Sequence, residues 1–199
     1  MTEPATWTGS ASVRLADPAR DAAGVAAVYR PSVESGLASF EEEAPSAEEM
    51  ASRMRATLER TPWLVAEDGE TIIAFAYAGP HRERAGYRWS VNVSVYVDEK
   101  RQGQGIGRRL YDTLLDLLRR QRFVNVYAGI TLPNPASVAL HRAIGMEPVG
   151  VYRRVGHKFG AWHDVAWYWL RLAEPTGTPP EPIPLRLLDD GRDGASSLG

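Results

Sequence analysis

Cysteine is absent from the 199 residues, so the chain has no disulfide, no thiolate nucleophile and no cysteine-built metal centre. An excess of positive charge is missing as well. Lys and Arg number 23 against 25 Asp and Glu, a formal net charge of −2, and the pI is near 6.1. Without a general basic field, neither nucleic acid nor a membrane surface is an expected partner, and any anion must be held by local arginine clusters. No apolar run approaches the length of a membrane span, and no basic segment followed by an apolar one opens the chain. A cytoplasmic location is expected. Metal-ligand spacing is lacking too. His157 and His163, with Asp164, stand across a hairpin without the i, i+4 or short-loop spacing of a dedicated site. No metal is expected.

The composition that is present, 44% apolar and 24% charged, suits one domain with a full core. Residues 1–11 and 173–199 read as tails, disordered or loosely docked, the second collecting Pro175, Pro179, Pro180, Pro182 and Pro184. The domain proper is 12–172. A brief strand over 12–16 leads to a helix that Asp17 caps and that runs to about Tyr29. Ser46 and Glu49 form a capping box for a second helix, which Pro62 stops. Strands over 63–66 and 72–78 flank Glu67-Asp68-Gly69-Glu70, a hairpin signal. A strand over 87–97 alternates Trp89, Val91, Val93 and Val95 with Ser90, Asn92, Ser94 and Tyr96. Ile106, Leu110, Leu114, Leu117 and Leu118 make the apolar stripe of the next helix. A strand over 123–130, a short helix over 134–144 ended by Gly145, and paired strands over 147–155 and 164–172 close the domain. This order predicts an α+β, mixed α/β layer structure rather than a doubly wound one. Trp162, Trp167 and Trp169 suit its core and the edge of an expected homodimer.

The densest chemical signal is Arg101-Gln102-Gly103-Gln104-Gly105-Ile106-Gly107-Arg108, between a strand and an amphipathic helix. Alternate glycines let successive backbone N–H groups face one anion where the helix N-terminus adds its positive end. A P-loop would need Gly-Lys-Ser/Thr, and Gly107 is followed by Arg108-Arg109. A dinucleotide fingerprint would need glycine at Arg108 and an acid near Phe123-Val124-Asn125-Val126. Gln-x-x-Gly-x-Gly fits, as Gln102, Gly105 and Gly107, and it resembles the pyrophosphate motif of the GCN5-related N-acetyltransferases (GNAT), which hold coenzyme A.

Further matches are Pro62-Trp63-Leu64-Val65-Ala66-Glu67, Ala76-Tyr77-Ala78-Gly79-Pro80, Val95-Tyr96-Val97, Leu132-Pro133-Asn134 and Gly160-Ala161-Trp162-His163-Asp164-Val165. With them, 12–172 resembles the phosphinothricin N-acetyltransferase branch of that superfamily. The resemblance implies a GNAT fold: a mostly antiparallel twisted sheet of about seven strands, split in a V between strands 4 and 5 and flanked by four helices. It implies acetyl-CoA as co-substrate and a small amino acid or amino-acid-like toxin as the amine, of the phosphinothricin, methionine sulfoximine or arsenical type. Val95, Tyr96 and Val97 would offer backbone to the pantetheine arm. Gln102, Gly103, Gln104, Gly105, Ile106, Gly107 and Arg108 would hold the pyrophosphate, and Asn134 would touch the cofactor from the next helix. Read alone, Asn134 is an N-cap.

Acetyl transfer must deliver a neutral amine, stabilise an oxyanion and accommodate a departing thiolate. The resembling enzymes place a glutamate base in Val-Glu-x-x-Val-Tyr-Val, where this chain reads Val91-Asn92-Val93-Ser94-Val95-Tyr96-Val97. An amide cannot take a proton at neutral pH. His141 lies on the helix after the fifth strand, where the resembling enzymes keep a Tyr or His facing the cofactor sulfur, and is the expected substitute base, directly or through water, with water bound by Asn92 as another route and Tyr96 as an acid for the thiolate. Arg82 and Arg84 align with a basic pair suited to carboxylate, phosphinate or arsinate, and Phe40 and Tyr87 would line the acceptor pocket. Glu41-Glu42-Glu43 follows Phe40 where the family has an arginine first, which counts against phosphinothricin itself. The alternative to an enzyme is a GNAT-fold acyl-CoA sensor that has lost catalysis with its glutamate.

Overall fold

The computed structural model describes residues 11–174 and 177–188. All of the expected N-terminal tail except Ala11 falls outside that range. The elements are β1 (Ser12–Leu15), α1 (Pro18–Glu34), α2 (Ala47–Leu58), β2 (Trp63–Asp68), β3 (Thr71–Pro80), β4 (Ser90–Val97), α3 (Ile106–Arg120), β5 (Asn125–Thr131), α4 (Pro135–Ala143), β6 (Glu147–Lys158) and β7 (Ala161–Arg171). The strands form one seven-stranded sheet in the order β1-β2-β3-β4-β5-β7-β6. Every neighbouring pair is antiparallel except β4 and β5, which run parallel. This is the mixed architecture, with seven strands and four helices, that the element order and the resemblance imply.

The helix starts follow from their caps. Asp17 accepts from the Ala19 N–H at 2.9 Å, and Ser46 and Glu49 serve each other's N–H groups. α1 continues beyond Tyr29, through Pro31 to Glu34, because Val33 still buries its side chain in the core. β4 begins at Ser90, not at residue 87. Ala85–Tyr87 form a 3₁₀ turn closed by Tyr87 N–H to Arg84 C=O at 2.9 Å, so Tyr87 belongs to the connection.

Alternation along the central strands sorts the core into two faces. Val91 and Val93 of β4 and Val126, Ala128 and Ile130 of β5 pack with Leu110, Tyr111 and Leu114 of α3. On the other face Tyr96 packs with Phe75 and Tyr29 beneath α1 and α2. Among the described residues no helix is long and apolar enough to cross a membrane.

The described part of the C-terminal segment, 177–188, is docked against the domain, while Pro175 and residues 189–199 of the expected tail lie outside the described residues. Ile183 N–H bonds the Gln121 carbonyl at 2.8 Å, Leu185 N–H bonds the Arg60 carbonyl at 3.0 Å, and the buried Gln121 amide bridges Arg60 and Ile183. Trp89 donates to the Pro180 carbonyl, and Arg88 pairs with Glu181. A proline-rich strip can dock this way because its few N–H groups sit where carbonyls wait for them.

One ion network fastens β1 to α1 and β2. The Arg14 guanidinium holds both Asp21 oxygens at 2.7 Å and Glu67 at 2.7 Å. Burial alone would raise the Asp21 carboxyl, but its bonds to Arg14 and to the Asp17 N–H outweigh burial and hold it below the ordinary carboxylate range. A depressed folded-state pKa contributes stability above the unfolded value and loses it as pH falls through the folded one. The melting temperature is therefore expected to drop between about pH 5 and about pH 3. Calorimetry of Asp21→Asn should show a shallower fall over that window.

Candidate active site

The site begins where two neighbouring strands part. β4 and β5 pair only through Ser90 with Asn125, Val91 with Val126 and Asn92 with Tyr127. Beyond Asn92, β4 stays with β3 to Val97 and β5 stays with β7 to Thr131. The diverging strands open a cleft of about 560 Å³, lined by Val93 to Val97 on one wall and Gly129, Ile130 and Thr131 on the other. Its size suits an extended ligand, and the strand groups left without a β4–β5 partner face into it.

The glycine loop closes the outer end. Gly103 and Gly105 adopt φ +74° and +82°, a region that disfavours side chains. Gly105 is the N-cap of α3 and supplies no side-chain oxygen, whereas Asp17, Ser46 and Asn134 cap the other three α-helices. The first N–H groups of α3 are thus left to a ligand, as a pyrophosphate requires. Gly107 has a different constraint: a Cβ there would stand 3.1 Å from Leu140 Cδ2, so glycine lets α3 approach α4. Ile106 is core and can contribute only backbone. The arginines are less mobile than the sequence suggests. Arg101 pairs with Asp68 at 2.9 Å, and Arg108 bonds Asp112 and the Ala143 carbonyl. Gln102 and Gln104 reach the carbonyls of Val97 and Lys100, both at 3.4 Å. Asn134 accepts from the Ser137 N–H at 3.0 Å as a cap while lining the cleft, so both readings of it fit.

At the inner end His141, only 3% exposed, lines the cleft beside Tyr111. Its Nδ1 lies 2.7 Å from the Ser137 carbonyl and its Nε2 3.0 Å from the Tyr111 hydroxyl. Nδ1 therefore carries the proton and Nε2 accepts from the tyrosine. Burial lowers the His141 pKa despite the Ser137 bond, which keeps the ring neutral at pH 7, and burial raises that of Tyr111. Tyr111 escapes the sequence reading because it falls within the apolar periodicity of α3.

These groups stand on the α3 face of the sheet, opposite Asn92 and Tyr96. Both His141 nitrogens are engaged there, so its place does not match that of the missing glutamate. Tyr96 departs from its expected role as well. Its ring stacks on Phe75 at 5.0 Å and meets Tyr29 edge-on at 4.9 Å, on the α1 face and away from the Tyr111 side. Its hydroxyl approaches the Ala38 carbonyl at 3.5 Å, and burial holds its pKa well above the usual value. What Tyr96 brings to the cleft is backbone.

Residues 16–167 match the sequence profile of the Acetyltransferase (GNAT) domain. The chain belongs to the GNAT acetyltransferase family. This GNAT enzyme is 38% identical over 165 residues to the phosphinothricin N-acetyltransferase of Streptomyces viridochromogenes, covering 83% of this chain and 89% of that one. It is 36% identical over 177 residues to the L-methionine sulfoximine/L-methionine sulfone acetyltransferase of Pseudomonas aeruginosa, covering 86% and 99%. The solved GNAT phosphinothricin acetyltransferase of Sinorhizobium meliloti, in complex with acetyl-CoA, superposes with a TM-score of 0.82 at 36% identity, covering 90% of this chain and 99% of that one. The protein is an acetyl-CoA-dependent N-acetyltransferase, and the uncapped α3 terminus and parted strands are where this GNAT enzyme would hold its co-substrate.

The residues expected to meet the acceptor lie around the β3–β4 connection and the Phe40 loop. Asn92 Oδ1 stands 2.8 Å from Nδ1 of His81, a residue the sequence reading passes over. Arg82, Arg84 and Tyr87 follow it, all exposed, and neither arginine has an ion-pair partner among the described residues. Arg88, by contrast, is taken by Glu181. Phe40 lies against Gly156 of β6, where its ring fills the space that a Cβ would need, and 6.2 Å from the His163 ring. The loop carrying Phe40 is strapped to β6 by Lys158, whose ammonium donates to the carbonyls of Ser32, Gly36 and Ser39 at 3.3, 3.0 and 2.7 Å. Glu41 does not present free charge to the site. Arg53 grips both its oxygens at 2.7 and 2.9 Å, Tyr29 donates to it, and these bonds hold its carboxyl below the ordinary range.

Proposed function

We propose that this enzyme acetylates the α-amine of a small acidic amino-acid analogue of the phosphinothricin, methionine sulfoximine or arsenical type, by direct attack in a ternary complex. The observation that carries this reading is the pairing of Glu41 with Arg53 and Tyr29. That pairing neutralises the first of the three acids after Phe40, and Arg82 and Arg84 stay without an ion-pair partner among the described residues. Guanidinium groups without an internal partner suit a carboxylate, phosphinate or arsinate. The relatives named for phosphinothricin and for methionine sulfoximine agree with that class of acceptor.

On the donor side, backbone donors of Val95 to Val97 suit the oxyanion, while Tyr111, whose hydroxyl donates to His141 Nε2, and His141 line the cleft where the sulfur would lie. His141 is thus assigned to the sulfur and not to the amine. A homodimer fits the exposed apolar side chains of the β6–β7 hairpin, among them Val149, Val155, Phe159 and Trp162. A cytoplasmic location fits an acetyl-CoA-dependent enzyme.

Thiol release from acetyl-CoA across an amine panel tests the substrate reading. Methionine sulfoximine, phosphinothricin and arsinothricin are expected to give kcat/KM at least about tenfold above polyamines and uncharged amines. A polyamine at the head of the ranking would sink it.

A further inference from the structure

We propose that His81 is the general base for the acceptor amine, with Asn92 as the residue that sets its tautomer. The proposal rests on the acetyl-transfer reading above and supplies the proton acceptor that reading lacks. Asn92 stands where a carboxylate would be expected and cannot take a proton, but it is not idle. Its Oδ1 lies 2.8 Å from His81 Nδ1. An amide oxygen only accepts, so Nδ1 carries the hydrogen and the lone pair of the neutral ring falls on Nε2. Among the described residues Nε2 has no hydrogen-bond partner. His141 presents the reverse case, with its basic nitrogen already taken by Tyr111.

The His81 ring is held in place. It stacks on Tyr127 with centroids 4.3 Å apart and meets Tyr87 and Trp167 edge-on at 6.0 and 6.2 Å. The His81 backbone N–H bonds the Ser90 carbonyl at 3.3 Å. The ring contacts are two phenols and an indole, and the hydrogen bond is to an amide.

Its position suits the reaction. Asn92 and Tyr127 are the last residues paired across β4 and β5, and the inner end of the cleft is lined by Val93, Ser94 and Gly129. His81 does not itself line the cleft: it lies beside Ser90, and its side chain reaches along the sheet to Asn92 and Tyr127, one β4 residue short of Val93, on the face that carries Tyr96 and opposite Tyr111 and His141.

In the step so assigned, the acceptor ammonium gives one proton to His81 Nε2. The freed lone pair attacks the acetyl carbonyl carbon and forms the C–N bond. The C–S bond breaks with its electron pair going to sulfur, and the second proton lost by nitrogen completes the thiol. The imidazolium then releases the first proton to solvent, so the reaction yields amide, coenzyme A and one proton.

The test compares wild type with His81→Phe, which keeps a ring on Tyr127 but removes the base, using thiol release with methionine sulfoximine as the acceptor. His81→Phe is expected to lower kcat by about a hundredfold or more at pH 7. Its deficit should shrink as pH rises and the amine deprotonates unaided, and acetyl-CoA affinity by calorimetry should stay within about twofold. Asn92→Glu added to His81→Phe should restore at least about tenfold by placing a carboxylate on the same face. An active wild type with His81→Phe equal to it in kcat and pH profile would overturn this inference alone. A wild type inert with every amine of the panel would overturn the substrate reading along with it. A ¹⁵N imidazole spectrum of the uncomplexed protein gives a readout free of turnover: His81 protonated at Nδ1 supports the proposal, and protonation at Nε2 alone overturns it.

Discussion

Gly105→Val should lower acetyl-CoA affinity by about a hundredfold, close to 2.8 kcal/mol at 1.4 kcal/mol per decade, as read by calorimetric titration. Two effects act together. At φ +82° a β-branched residue is strained by about 1–3 kcal/mol, and relief of that strain turns the peptide away from its present course. The new side chain also lies over the uncapped N–H groups of α3, which no other residue of the helix start serves. A Gly69→Ala enzyme is the control for backbone strain, because Gly69 also has a positive φ, +62°, in the β2–β3 turn and nothing stands within 4 Å of a Cβ there. If Gly105→Val bound acetyl-CoA as wild type does, the N-terminus of α3 would not be the pyrophosphate seat.

Lys158→Met is expected to have the largest effect on stability. The Lys158 ammonium is buried and spends its three donors on the carbonyls of Ser32, Gly36 and Ser39, at the end of α1 and in the loop leading to Phe40. Burial lowers its pKa, with Glu41 opposing, so its charge is held at a cost that the three bonds offset. Methionine preserves the stem and leaves those carbonyls unserved, a loss of about 3 kcal/mol by analogy with unsatisfied buried groups. For a domain of this size the melting temperature should fall by about 6–12 °C. The acceptor KM should rise with it, since the Phe40 loop loses its tie to β6. A melting temperature within about 2 °C of wild type would show that the strap carries no load.

Local chemistry was legible in the sequence, and pairings across the sheet were not. Asp17, Ser46 and Asn134 act as caps because a cap depends on residues two or three positions away. The glycine loop was legible for the same reason. The missing base was visible as Asn92, but its companion was not, because His81 meets it only through the β3–β4 register that sets Gly79 against Asn92. Glu41 looked like free negative charge until α2 brought Arg53 to it across twelve residues. Tyr111 was hidden within the stripe of leucines it shares, and the place of His141 on the α3 face, with both nitrogens engaged, was not legible because sequence spacing does not say on which face of a sheet a helix will lie. The C-terminal prolines suggested a loose tail, whereas the Ile183 and Leu185 N–H groups bond the carbonyls of Gln121 and Arg60.

The parting of β4 from β5 after Asn92 has a consequence for how such an enzyme can change. The sheet is a wall with one slot in it, and under the proposed reaction the thioester carbon is where its two faces meet. Under the proposed assignment, the groups serving the amine, His81 and Asn92, and those beside the sulfur, Tyr111 and His141, form separate hydrogen-bonded pairs on opposite faces, so a change in one pair need not move the other. Each side is free to drift so long as the slot keeps its width.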